Sequence, residues 1–286
     1  SFRAGARHFQ VFRGYIPMKS LEKKVAVITG AASGIGRSLA LGLAREGCFL
    51  ALADFNKKGL EETVRLVKES GGAAMSQVVD VANRSQVERF ASAVIKKYKQ
   101  ADIVVNNAGV TLFGRLEDVS YREFEWIMGI NLWGVVYGTR AFLPHLKNRP
   151  EAWVVNLSSA FGLVGVPSQT TYCATKFAVR GFTESLQREL KDTKITAISV
   201  HPGGIKTNIA FNARFTSGFG KDANKKFAKR FDRMARTTAD EAAKMIIDAI
   251  KRKKRRLLNG ADARIIDIVQ RIFPSLYGKI MDGLYS

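Results

Sequence analysis

Cysteine is scarce in this sequence. Only Cys48 and Cys173 occur among 286 residues, in segments that read as a buried strand and a helix start. Two unclustered cysteines exclude a disulfide framework and a cysteine-based zinc site, and they favour a reducing, cytoplasmic setting. Histidine numbers three, and His145 and His201 fit no nucleophile or metal pattern, so both read as structural and no metal is expected. Proline numbers six, and no Pro/Gly-rich linker or internal repeat divides the chain. One domain is the economical reading. No apolar run approaches the roughly 20 residues of a membrane-spanning helix. The first 17 residues carry arginines but no sustained apolar stretch, which argues against a secretory signal.

Acidic residues are also in deficit, with 25 Asp and Glu against 46 Lys and Arg. The excess is uneven: Lys221 to Arg256 holds fourteen basic and five acidic residues, and Ser1 to Lys24 holds six and one. Solvated charge is the plain reading. Peripheral attraction to an anionic membrane, or nonspecific contact with nucleic acid, competes with it; no specific nucleic-acid partner is expected.

What is present is strict alternation. Short apolar runs at Val25–Thr29, Cys48–Ala53, Met75–Val79, Ile103–Val105, Trp153–Leu157 and Ile195–Val200 are separated by helical stretches. The longest of these are Phe124–Leu146 and Tyr172–Leu190. Such alternation predicts an α/β fold, a doubly wound parallel sheet covered by helices on both faces. The expected organisation is an extension over 1–17, a catalytic domain over 18–260 with a substrate-covering lid at 208–236, and an amphipathic helical extension over 261–286.

Gly30, Ser33, Gly34, Ile35 and Gly36 lie in the turn between the first strand and the first helix. Glycines there let the backbone approach a pyrophosphate, and the helix N-terminus offers it free N–H groups. Asp54 ends the second strand, 18 residues past Gly36. An acid at that position accepts hydrogen bonds from the adenosine ribose and repels a 2′-phosphate, so NAD is preferred over NADP. Arg37 is the nearest cation that would oppose this, and a helix-capping role before Asn56 is the competing reading of Asp54.

From Leu21 to Gly260 the chain resembles the short-chain dehydrogenase/reductase family. The glycine spacing, Asp80-Val81, Asn107-Ala108-Gly109 after Asn106, and Pro202-Gly203-Gly204 with Ile205 and Thr207 all fit its pattern in order. The resemblance implies a Rossmann-type seven-stranded sheet and a homo-oligomer, commonly a tetramer, built on the two longest helices. It also implies catalytic roles for Asn131, Ser159, Tyr172 and Lys176. Ser158 competes with Ser159, which is chosen because its 13-residue separation from Tyr172 matches the usual spacing of the family that the chain resembles.

The residues can perform that chemistry. Tyr172 and Lys176 are four apart on one helical face. A nearby ammonium and the positive nicotinamide favour a phenolate, so Tyr172 takes the alcohol proton in oxidation and returns it in reduction. Ser159 would hold the substrate oxygen, and Asn131 a water joining Lys176 to solvent. On the substrate side, Leu112, Phe113, Val166 and Phe211 are expected to meet an apolar alcohol or ketone. Phe211, Phe215 and Phe219, like Phe227 and Phe231, are spaced for helical stripes that pack on the core or close over substrate. Two other functions compete: an NADPH-dependent carbonyl reductase, and a non-catalytic nucleotide-binding scaffold with a basic surface.

Overall fold

The computed structural model describes residues 20–219, 225, 227, 229, 231 and 235–280. The expected N-terminal extension, Met234, Met281 and Leu284 lie outside the described residues, as does most of 220–234.

Seven strands form one sheet: β1 (Val25–Thr29), β2 (Phe49–Asp54), β3 (Ala73–Val78), β4 (Ile103–Asn106), β5 (Ala152–Leu157), β6 (Ile195–Pro202) and β7 (Arg256–Asn259). Their spatial order is β7-β6-β5-β4-β1-β2-β3, and every neighbouring pair is parallel. This is the doubly wound arrangement expected from the alternation. The central strands β1, β4 and β5 are mostly apolar because helices cover both faces, and the buried Asn106 and Asn156 bond to each other. On one face α1 (Gly34–Arg45), α2 (Lys57–Glu69) and α7 (Ala239–Lys251) bury Leu39, Leu43, Leu60, Ile246 and Ile250 against the sheet. On the other, α3 (Arg84–Tyr98), α5 (Gly134–Lys147) and α6 (Thr170–Glu189) bury Phe90, Val94, Phe142 and Leu186. Strand order reverses between β1 and β4. The crevice outside their carboxyl ends is where such sheets bind ligands.

The stretch expected as one helix from Phe124 to Leu146 is interrupted. Helix α4 (Tyr121–Met128) runs into a π-turn at Gly129–Trp133 and then into α5. It starts earlier than apolar spacing indicates because Ser120 and Glu123 form a reciprocal capping box. The extra residue of a π-turn re-aims a side chain at functional sites, and here it coincides with the fully buried Asn131.

The helical stripe expected over Phe211–Phe219 is not formed. Residues Arg214–Phe215 make a short parallel ladder with Leu112–Phe113. Pairing stacks Phe113 on Phe215 at 5.0 Å, and Phe227 packs 4.2 Å from Phe113. The four-residue recurrence of phenylalanine thus serves an aromatic cluster held by strand pairing. Beyond β7, α8 (Ala261–Ile272) buries Ala263 and Ile266 against Ala160, Leu163 and Val164, with Tyr277 alongside. Its outer face leaves Ile265, Ile268 and Ile272 exposed. Among the described residues no helix is long and apolar enough to cross a membrane.

Candidate active site

The glycine turn lies at the switch point. Gly30 and Gly34 have φ of +66° and +51°, which a residue with a Cβ adopts only at a cost. A Cβ on Gly36 would stand 2.0 Å from the Gly30 carbonyl oxygen, so α1 and the turn are in backbone contact. Asn107 holds this turn by donating from its amide to the carbonyls of Thr29 (2.9 Å) and Gly30 (3.0 Å). The N-cap of α1 is Ser33, whose side chain caps nothing, and no acid stands in the first turn. Helices α2 and α3, by contrast, are capped by the side chains of Asn56 and Asn83. The open N–H groups of α1, with Ile35 anchored against the core, suit a pyrophosphate. Across the crevice, the Thr207 side chain lies 3.1 Å from where a Gly34 Cβ would be.

Asp54 braces the backbone on both sides of the strand end, while Asn56 is the residue that caps α2. Its Oδ1 accepts from the Asn56 N–H at 2.8 Å, and its Oδ2 accepts from the Ala32 N–H at 2.9 Å. The carboxylate is thereby fixed at the end of β2, with lone pairs to spare. Arg37 is committed elsewhere: its guanidinium donates to Thr63 Oγ1 and to the Ala32 and Gly59 carbonyls. Asp80 accepts from the Ala82 N–H at 3.0 Å, and Val81 packs under Gly134. Ala108 donates its N–H to Thr29 Oγ1 at 3.2 Å. Gly109 is bare where a Cβ would lie 3.3 Å from Asn131 Oδ1 and 3.4 Å from Lys176 Nζ.

Tyr172 sits in the first turn of α6, packed with Leu112 and Ile127 and edge-on to Phe161. Lys176 follows one turn later, its Nζ 5.6 Å from the Tyr172 ring centroid and 2.9 Å from the Leu157 carbonyl it donates to. That leaves two ammonium N–H groups without an acceptor among the described residues, on a lysine that is 4% exposed. Burial pulls Lys176 down to about 8 and pushes Tyr172 up to about 12, the latter offset in part by the Ser159 hydroxyl against the phenol. Ser158 is excluded from that position because its hydroxyl donates to the Lys176 carbonyl at 2.8 Å, under α6. Asn131 braces the loop after β4: its Oδ1 accepts from the Val110 N–H (2.8 Å), and its Nδ2 donates to the Val110 carbonyl (2.9 Å) and to Thr175 Oγ1 (3.1 Å).

Several groups here left no mark in the sequence. His201 precedes Pro202 and Gly203, with its Nδ1 3.2 Å from the Ser159 carbonyl and its Nε2 2.9 Å from Ser199 Oγ. A carbonyl only accepts, so Nδ1 carries the proton and Ser199 donates to Nε2. Burial holds His201 down to about 4, which keeps the ring neutral. Asp262, at the start of α8, accepts from the Gly204 N–H at 2.6 Å, and a Cβ on Gly203 would fall 2.1 Å from its Oδ1. The loop bearing Gly203, Ile205 and Thr207 is thus tied to the C-terminal helix. The ladder of Ile205–Lys206 with Thr237–Thr238 and the bond from the Gly203 N–H to the Asn259 carbonyl (2.9 Å) also support it.

The expected substrate contacts separate. Val166 packs with α8 and Tyr277, whose hydroxyl accepts from the Gly165 N–H at 3.3 Å. Phe113 belongs to the phenylalanine cluster, and Phe211 is 55% exposed in a turn.

The fold and this crevice define an oxidoreductase of CH–OH and carbonyl groups that uses a nicotinamide dinucleotide. Comparison with known proteins agrees. Residues 24–217 match the short chain dehydrogenase family. The chain is 42% identical over 267 residues to the oxidoreductase SadH of Mycobacterium tuberculosis, covering 92% of this chain and 96% of that one. A short-chain dehydrogenase/reductase from Burkholderia phymatum, solved in complex with NAD, superposes with a TM-score of 0.83 at 29% identity, over 91% of this chain and 96% of that one. An alcohol dehydrogenase from Thermococcus sibiricus, complexed with 5-hydroxy-NADP, gives 0.70 at 32% identity, over 82% and 94%. The chain belongs to the short-chain dehydrogenase/reductase family.

Proposed function

We propose that the protein transfers a hydride between NAD(H) and a lipophilic secondary alcohol or ketone, with Tyr172 as general acid–base. The observation that carries this reading is the buried Lys176 ammonium, one helical turn from Tyr172 and with donors left over. Bound NAD supplies the carbon that accepts the hydride and, when oxidised, a positive charge. The residues fit such a group: α1 offers unneutralised N–H groups, and Lys176 keeps donors for ribose hydroxyls.

The chain's own part is to make the phenol acidic. Bringing it from about 12 to near neutrality takes roughly 6–7 kcal/mol. The Lys176 ammonium, one helical turn away with its Nζ 5.6 Å from the ring centroid, supplies part of this because a nearby positive charge favours the ionised form. The remainder falls to the cofactor's charge. Ser159 holds the substrate oxygen beside the phenol and stabilises charge developing there. Asn131, pinned to Val110, fixes the loop over Lys176. A screen of secondary alcohols for NADH formation, read at 340 nm, tests the reading; no turnover across aliphatic, cyclic and aromatic members would refute it.

NAD is preferred because Asp54 is fixed at the ribose end, where its charge repels a 2′-phosphate, and the Arg37 guanidinium is turned toward Thr63 and the Ala32 and Gly59 carbonyls. The Asp54→Asn variant keeps shape and loses charge. Its NAD-over-NADP ratio of kcat/KM should fall roughly 10- to 100-fold, the worth of a hydrogen bond to a charged group. An unchanged ratio would place cofactor choice elsewhere.

Self-association through α5 and α6 is part of the same proposal, because Trp133 and Phe177 are left half-exposed beside them. Light scattering should report an oligomer that Phe177→Asp dissociates; a monomeric wild type would overturn this.

A further inference from the structure

The short ladder of Leu112–Phe113 with Arg214–Phe215 has two faces, because side chains alternate along a strand. Phe113 and Phe215 occupy one face with Phe227. Leu112 and its register partner Arg214 occupy the other. Leu112 is fully buried against Tyr172 and Ile127, in a cluster that Trp126 and Val119 complete. The Arg214 guanidinium lies 3.7 Å over the Trp126 ring. It therefore stands on the Tyr172 side of the ladder, one aromatic ring from the reactive cluster.

Arg214 is held there. Its N–H donates to the Thr111 carbonyl at 3.1 Å. Thr111 Oγ1 in turn bonds Gln169 Oε1, and Gln169 Nε2 donates to the Leu112 carbonyl, both at 3.1 Å. Gln169 is the residue before α6, so the ladder is bolted to the helix that carries Tyr172. No carboxylate pairs with Arg214 among the described residues. Hydrogen bonds from Ser120 and, to a lesser degree, the Arg214 charge hold the Glu123 carboxyl below its usual range, but that carboxylate is committed to the capping box, its Oε2 accepting from the Ser120 N–H (2.9 Å) and hydroxyl (2.7 Å). Stacking on a ring uses the face of a guanidinium and leaves its in-plane N–H fork open, the geometry that takes an oxyanion in a bidentate pair.

We propose that Arg214 is a specificity residue that binds an anionic group, a carboxylate or a phosphate, on the substrate at a distance from the reacting carbon. The substrate class is then an amphiphilic acid: an apolar body beside the partly exposed Trp126 and Phe161, and an oxyanion on Arg214. This rests on the Tyr172 reading and narrows it. The net charge of +21 draws such substrates toward the molecule.

The test uses the full chain with three substrates of one skeleton: a medium-chain secondary hydroxy acid, its methyl ester, and the matching alkyl phosphate. Arg214→Gln should raise KM for the preferred anion roughly 10- to 100-fold, as loss of a charged hydrogen-bonding partner does, with kcat within about 3-fold. The ester's constants should stay within about 2-fold, and Arg214→Lys should recover part of the loss. Whichever anion responds more identifies the carboxylate or the phosphate as the ligand. Equal effects on acid and ester, or no wild-type preference for an anion, would overturn the proposal. Should wild type turn over none of the three, the Tyr172 reading fails by itself. Calorimetric binding of the acid to the NADH-loaded protein then decides this one: binding lost in Arg214→Gln supports it, and binding retained refutes it.

Discussion

Replacing Tyr172 by Phe should lower turnover on the order of 10³-fold, within the range set by removing a positioned proton-transfer group, while NADH affinity stays within about 3-fold. The variant removes one oxygen. The ring keeps its edge-on contact with Phe161 and its place against Leu112 and Ile127, so the fold and the crevice are preserved. Lys176, Asn107 and the open end of α1 are untouched, so nucleotide still binds. What is lost is the acid and base at the substrate oxygen. Ser159 cannot replace it, having no comparable path to an ionised form. Single-turnover absorbance at 340 nm, with NADH binding followed by fluorescence, separates the two effects. A Tyr172→Phe enzyme turning over within tenfold of wild type would rule out the assigned role.

The Gly36→Val variant should lose nucleotide binding by more than ~100-fold, and with it the stabilisation that ligand binding confers. The reason is steric. The first added carbon would lie 2.0 Å from the Gly30 carbonyl and 2.7 Å from Asn107 Nδ2, and neither is the free end of a flexible chain. Either α1 retreats from the turn or the turn loses the Asn107 hydrogen bonds that shape it. Both displace the N–H groups meant for the pyrophosphate. Circular dichroism separates a folded protein with a spoiled turn from an unfolded one, and Gly36→Ala, which adds only that first carbon, supplies the milder case. NADH affinity within about 3-fold of wild type in both variants would contradict the placement of the cofactor.

Much of this architecture is legible in the sequence because its causes are local or periodic. The runs at Val25–Thr29, Ile103–Val105 and Trp153–Leu157 read as central strands since a strand covered on both faces is mostly apolar, and the buried Asn156 is accepted only because Asn106 and Thr183 satisfy it. The glycine turn is legible because Gly30 and Gly34 need positive φ and Gly36 needs to be bare. Tyr172, Lys176 and Ser159 are singled out by the family resemblance, and helical spacing adds only that Tyr172 and Lys176 share one face.

What the sequence hides depends on distant partners. The π-turn at Gly129–Trp133 has no local signature; it is set by Asn131 reaching Val110. The Phe211–Phe219 spacing suits a helix, yet pairing with Leu112–Phe113 wins because it closes a phenylalanine cluster. Asp54 braces the Ala32 and Asn56 N–H groups, contacts that its place in the sequence does not specify. Asp262 and Arg214 stand 58 and 102 residues from Gly204 and Leu112, and only the folded chain brings each pair together.

The most direct test of the account is the ionisation of Tyr172 itself, read as tyrosinate absorbance at 295 nm in wild type minus Tyr172→Phe. In the free protein the difference should show no phenolate up to about pH 10, because burial holds the phenol near 12. With saturating NAD, phenolate should appear below about pH 8, since nearby positive charge favours the ionised form, and Lys176→Met should largely abolish that change. A Tyr172 signal that does not move when NAD binds would contradict the claim that lysine and cofactor together acidify this phenol.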